Sequence, residues 1–153
     1  MRREALGSSV CLRPAVPADS HFAYLVLEQT MRGYAEATWG EWHDDRAREE
    51  MRVAASDGRS EIIEVDGERA GFLRAVLHEG SHLELDKLFV LPAHQRQGIG
   101  TKVLVAVLAR AQAAGVPVRL HVLCVNPAKA LYERHGFGVT AQDPIRFFME
   151  RPL

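Results

Sequence analysis

The sequence predicts a mixed α/β fold of the α+β kind, with one domain, a twisted sheet of about seven strands, and helices on both faces. Three observations predict it. Residues 60–65 and 70–77 alternate as strands around the tight turn Asp66-Gly67 and feed a third strand over residues 83–90. That strand stops at Pro92 and passes through a glycine turn into the apolar helical stretch 103–109. A further apolar strand over 116–125, a short helix over 127–135 and a closing hairpin finish the chain. A meander followed by a helical crossover requires both antiparallel and parallel pairing in one sheet.

The elements follow in order. Residues 1–9 are expected to form a loose N-terminal tail, and residues 10–153 the domain. Residues 10–13 read as the first strand. Pro14 and Pro17 end it, and Ala18-Asp19-Ser20 can cap a helix. Phe22, Leu25, Val26 and Met31 have helical spacing, so a helix is expected through about Arg32. Residues 38–45 break that pattern before a second, charge-rich helix that runs to about Ala55. Ser56-Asp57-Gly58 and Glu79-Gly80-Ser81 are turns around the meander. Gly115 is positioned to end the long helix. The final hairpin pairs residues 137–140 with 145–150.

Bulk properties narrow the function. With 153 residues, 47% hydrophobic and 25% charged, the chain fits one globular domain. A net charge of −1 gives no bulk attraction to nucleic acid or to an anionic membrane, so neither is expected as a partner. No apolar run is long enough for a membrane span, and the first ten residues lack the apolar core of a signal peptide. Cys11 and Cys124 show no metal or disulfide spacing, and both are expected to be buried free thiols of a cytoplasmic protein. His43, Asp44 and Asp45 are adjacent, a poor arrangement for convergence, so no metal is expected.

The chemistry concentrates after the third strand of the meander. Gly98-Ile99-Gly100 opens a helix whose first amides have no partner within it and carry the positive end of its dipole, with Arg96 and Lys102 nearby. This is a seat for a pyrophosphate. A dinucleotide fingerprint would need a third glycine where Val103 stands, and a P-loop would need glycine, lysine, then serine or threonine, with a further glycine upstream, where the chain has Gly100-Thr101-Lys102. Gln95-x-x-Gly98-x-Gly100 instead resembles the coenzyme A signature of the GNAT superfamily of acyl-CoA-dependent N-acyltransferases. Asn126-Pro127-Ala128-Lys129-Ala130-Leu131-Tyr132-Glu133-Arg134-His135-Gly136-Phe137 resembles that family's asparagine-to-L-Y-x-x-x-G-F segment and follows after one helix and one strand, as in the family.

The resemblance covers roughly residues 61–149 and implies a seven-stranded sheet whose fourth and fifth strands splay apart. It implies acetyl-CoA as co-substrate and a primary amine, a small molecule or a peptide, as acceptor, in an enzyme that is often a homodimer. Direct attack by the amine needs no nucleophilic side chain. The alternative is a non-catalytic acyl-CoA-binding regulatory module of the same fold. The resemblance assigns the thioester carbonyl to the Leu88 backbone, and the pantetheine arm to the strand Leu88-Phe89-Val90. It assigns the diphosphate to the loop Gln95-Arg96-Gln97-Gly98-Ile99-Gly100-Thr101, a coenzyme contact to Asn126, and the acid for the leaving thiolate to Tyr132.

A base must neutralise the amine. By period two, Glu84 shares a face with Asp86, Leu88 and Val90, and it stands where the histone-acetylating branch carries its base. His121 is its rival, on the next strand, where the ribosomal-protein-acetylating branch carries one. Asp86 or a water chain are further alternatives. Tyr34, Trp39 and Trp42, interleaved with Glu36, Glu41, Asp44 and Asp45, suit a cationic acceptor, with Glu84 at its reactive end.

Overall fold

The computed structural model describes residues 2–7 and 9–153. Its single sheet has eight strands: β1 (Glu4–Ala5), β2 (Val10–Pro14), β3 (Ser60–Val65), β4 (Glu68–His78), β5 (His82–Val90), β6 (Val118–Leu123), β7 (Gly138–Gln142) and β8 (Arg146–Arg151). They lie in the order β1-β2-β3-β4-β5-β6-β8-β7, with β5 and β6 the one parallel pair. Four helices complete the fold: α1 (Ser20–Trp39), α2 (Asp44–Ser56), α3 (Ile99–Ala114) and α4 (Lys129–Arg134).

Each face of the sheet builds its own core. On one face Val10, Leu12, Ile63, Leu73, Leu83 and Leu85 pack with Val103, Leu104 and Val107 of α3. On the other, Ile62 and Phe72 pack with Phe22, Val26 and Leu27 of α1 and Met51 of α2. Successive residues of β3 therefore serve opposite cores, and every one of its side chains is buried. Two of those side chains are carboxylates. Glu61 is held by Arg110 at 2.7 Å, and Glu64 by Arg13 at 2.8 Å and Arg3 at 2.5 Å. Buried charges of this kind persist only when paired.

Several expectations change. The tail is not loose over its described residues: Glu4 and Ala5 pair with Leu12 and Cys11, which makes the eighth strand. Met1 and Ser8 of that stretch lie outside the described residues. Asp19 does not cap α1 with its side chain. It faces inward, 3% exposed, and accepts from Arg13 and from the Val16 amide. Burial alone would raise its carboxyl; those hydrogen bonds outweigh burial and hold it below the usual carboxylate range. α1 continues past Gly33 and ends at Gly40, whose φ of 82° is the left-handed conformation of a helix stop. Tyr34 and Trp39 therefore stand on a helix. Cys11 is half-buried and Cys124 is exposed, because β6 ends at Leu123 and the chain turns outward there.

One irregularity matters for the site. Arg74 pairs with Lys87 but its neighbour Ala75 pairs with Leu85, which leaves Asp86 as an extra residue in β5. Such a bulge reverses the alternation of faces. Leu83 and Leu85 before it, and Leu88 and Val90 after it, all pack toward the α3 core. The expected shared face of Glu84, Asp86, Leu88 and Val90 is therefore not present.

Candidate active site

β5 and β6 are paired only at Leu83 with Val118 and Glu84 with Arg119. Beyond Glu84, β5 stays on β4 as far as Gly71 with Val90, while β6 stays on β8 as far as Leu123 with Arg146. The two strands part, and the opening continues into a cleft of about 800 Å³. Which main-chain groups face it follows from ladder parity. The Leu91 amide donates to the Ala70 carbonyl at 2.8 Å, so the alternate residues Phe89 and Lys87 direct their polar groups to β4. Leu88 and Val90 direct theirs to the gap. Gly71 permits the tight fit behind them, since a Cβ there would collide with the Phe89 carbonyl oxygen.

The loop after β5 is shaped by its own residues. Gln95 donates from its side-chain amide to the Val90 carbonyl at 2.8 Å, folding the loop back on the strand end. Its main-chain amide donates to Pro92. This amide is thus committed within the loop, and of the amides expected to face a phosphate those from Arg96 to Thr101 are left. Arg96 has a φ of 64° and Gly98 of 76°. An arginine in the left-handed region is held there by its surroundings. α3 begins at Ile99 with no side-chain cap, and the amide of Lys102 makes the first helical bond, to Gly98. The amides of Ile99, Gly100 and Thr101 precede that bond at the positive end of a 16-residue helix. A Cβ at Gly98 or Gly100 would meet nothing within 4 Å. Internal packing thus does not require glycine at position 100; open approach to the amides does explain it.

The far wall of the gap carries Tyr132, Asn126 and His121, all of which line the cleft. Tyr132 is buried, its ring 5.6 Å edge-on from Phe137, and burial pushes its phenol up to about 12. Asn126 accepts from the Ala128 amide at 2.9 Å, an Asx-type turn ahead of α4; the expected side-chain cap of that helix is not formed, its cap position being Ala128. His121 projects from β6, its ring 6.1 Å from Phe148. Glu84 is not among the residues that line the cleft; it sits behind His121, with His82 at 3.5 Å. Burial pushes the Glu84 carboxyl up, and the charge of His121 pulls the other way.

The acceptor side is built by α1, α2 and the loop between them. Tyr34, Trp39 and Trp42 line it, with Trp39 52% exposed and Trp42 packed on the second core. The carboxylates expected beside them fare differently. Glu41 lines the cleft, but Glu36 pairs with Arg32, and Asp44 binds Tyr24 and Arg48 outside the cleft lining. Sequence reasoning missed Arg46, Glu50, Lys87 and Arg146, which also line it. No short motif could have found them, because they come from three separate elements.

Similarity to known proteins agrees with this geometry. Residues 23–137 match the model of the Acetyltransferase (GNAT) family. A protein of Azospirillum brasilense named IAA acetyltransferase is 34% identical over 87 residues, 52% of this chain and 57% of that protein, so the match spans little more than half of that relative. Among solved structures, an acetyltransferase from Thermus thermophilus superposes with a TM-score of 0.76 at 23% identity, covering 95% of this chain and 98% of that one. The PaiA N-acetyltransferase of Thermoplasma acidophilum, solved in complex with coenzyme A, superposes at 0.73 and 19% identity over 95% of this chain and 100% of that one. Those two share the fold. With three-quarters of its length matched by the family model, this chain belongs to the GNAT family of acetyltransferases.

Proposed function

We propose that this chain transfers an acetyl group from acetyl-CoA to a primary amine by direct attack. The observation that carries the reading is the parting of β5 and β6 directly after Glu84, which turns the Leu88 and Val90 amides toward Tyr132 and His121 in one cleft. The coenzyme supplies the acyl group activated as a thioester. All other tasks fall to the chain. Amides from Arg96 to Thr101, with the α3 dipole, hold the diphosphate. The Val90 backbone aligns the pantetheine arm. The Leu88 amide donates to the acyl oxygen as negative charge grows there; one such donor in a water-poor site is worth about 3 kcal/mol.

The proton count fixes the remaining roles. A C–N bond forms, a C–S bond breaks, the nitrogen loses a proton and the sulfur gains one. An alkylamine is mostly protonated at neutral pH, so a base must act first. His121 is that base, because it lines the cleft and Glu84 does not. Glu84 behind it is a positioning residue whose carboxylate favours the imidazolium. Tyr132 at about 12 remains protonated throughout the neutral range. Full transfer of its proton to a thiolate of ordinary basicity, near 8.5, would be uphill by about 5 kcal/mol. Tyr132 therefore stabilises the departing sulfur chiefly as a hydrogen-bond donor.

The test is release of free CoA thiol over a panel of primary amines. Saturable, amine-dependent release is expected. Tyr132→Phe should lower kcat about a hundredfold while calorimetric affinity for acetyl-CoA holds within about twofold. Binding of acetyl-CoA with no turnover on any amine would instead identify a regulatory module.

A further inference from the structure

We infer that the acceptor is an amine that also carries a carboxylate, and that Arg46 and Arg146 receive that carboxylate beside Trp39. The inference rests on the acetyltransferase reading and adds the substrate class. It follows from a charge inventory of the cleft. Three carboxylates line it, and each has a basic side chain within 4 Å, although Arg74 is also held by Asp57 at 2.7 Å. Glu41 is 2.9 Å from His43, Glu50 is 2.7 Å from Lys87, and Asp86 is 3.5 Å from Arg74 and 3.7 Å from Lys87. Lys87 is thereby shared between two acids.

The two guanidinium groups that line the cleft are not matched in this way. Arg46, exposed on α2, has no ion pair or hydrogen bond among the described residues. Arg146, at the start of β8, reaches only Asp143, at 3.8 Å, and its guanidinium lies 5.8 Å from the centre of the exposed Trp39 ring. An acceptor that offered only an ammonium would leave both guanidinium groups without a close acid. One that also bears a carboxylate supplies it. The planar guanidinium fork matches a carboxylate with two parallel hydrogen bonds. Trp39 gives the adjoining part of the acceptor a flat apolar platform. These arginines come from α2 and β8, away from the loop that faces the diphosphate, so a role in coenzyme binding is not expected of them.

Matched acids and amides test this. Phenylalanine is compared with phenylalaninamide, and the dipeptide phenylalanyl-alanine with its C-terminal amide; the two arms separate a free amino acid from a peptide acceptor. In at least one arm the acid should exceed its amide in kcat/KM by roughly tenfold or more, the scale of a charge-assisted hydrogen bond. Arg46→Gln and Arg146→Gln should each erase most of that ratio by raising KM for the acid, and Arg46→Lys should restore part of it. Acetyl-CoA affinity should stay as it is. Amides equal to or better than acids, equal losses on both, or weakened acetyl-CoA binding would overturn the inference. If no amine is turned over, the acetyltransferase reading fails on its own. Calorimetric titration of phenylalanine and phenylalaninamide then decides the anion site. Heat with the acid alone, lost in Arg46→Gln, supports it, and no heat with the acid overturns it.

Discussion

The two walls of the cleft do their work with different parts of the chain. The proposed coenzyme wall is made of main chain: the Leu88 and Val90 amides turned to the gap by the parting strands, and the amides that open α3. The proposed acceptor wall is made of side chains: Tyr34 and Trp39 on α1, Arg46 on α2, Arg146 on β8, all of which line the cleft. A backbone site depends on residues that shape the path of the chain, and these are necessarily close in sequence. A side-chain site depends on which elements the fold brings together, so its residues can be exchanged one at a time without disturbing the path. A family can therefore keep one donor and vary its acceptors.

Substitutions on either side should separate the walls. Gly100→Asp has the largest expected effect. An added Cβ meets no neighbour and position 100 lies in the first turn of α3, where a carboxylate favours the helix, so the melting temperature should hold or rise slightly. Acetyl-CoA affinity, measured by calorimetry, should nonetheless fall about a hundredfold, because the charge faces the diphosphate. A normal affinity would mean that the phosphate seat lies elsewhere. Trp39→Ala should do the reverse and on a smaller scale. KM for the acceptor should rise about tenfold with acetyl-CoA affinity unchanged, since the exposed ring lines the cleft beside Arg146 on the proposed acceptor side.

The smallest effect is expected at Glu84→Gln. The folded carboxyl is raised by burial, so the native state holds this proton more tightly than the unfolded chain does. Stability from this group is then complete below the ordinary carboxylate range. It declines as pH rises through that range to the raised value, and is flat above. Glu84→Gln removes the decline, so urea midpoints of variant and native protein should diverge in favour of the variant as pH rises through and above the ordinary carboxylate range. Activity should fall less than tenfold if Glu84 only positions His121. A loss of several orders of magnitude would make Glu84 the base.

Legibility in the sequence divided along the same line as the walls. Gln95, Gly98 and Gly100 announced the loop because their spacing resembles the family's coenzyme A signature, and Gly98 does take a left-handed φ of 76°. Yet the sequence did not tell that Gln95 would brace Val90 with its side chain and use its amide on Pro92. The bulge at Asp86 was invisible, since it exists only as a mismatch with Arg74 and Ala75 on another strand. Missing it put Glu84 on the wrong face. β1 escaped notice because two residues carry no periodicity, and its pairing is supported by Arg110 reaching Glu4 at 2.6 Å from across the fold.

By itself the sequence determined the order of elements from β2 onward, the glycine turn into α3 and the identity of the phenol at position 132. Each is set by local chemistry: the freedom of glycine, the missing amide of proline, the period of apolar side chains. Only the tertiary structure decided where β5 leaves β6, which of His121 and Glu84 reaches the cleft, and which charges are left without partners there. Those outcomes depend on register and on pairings between residues far apart in the chain, and no local pattern records them.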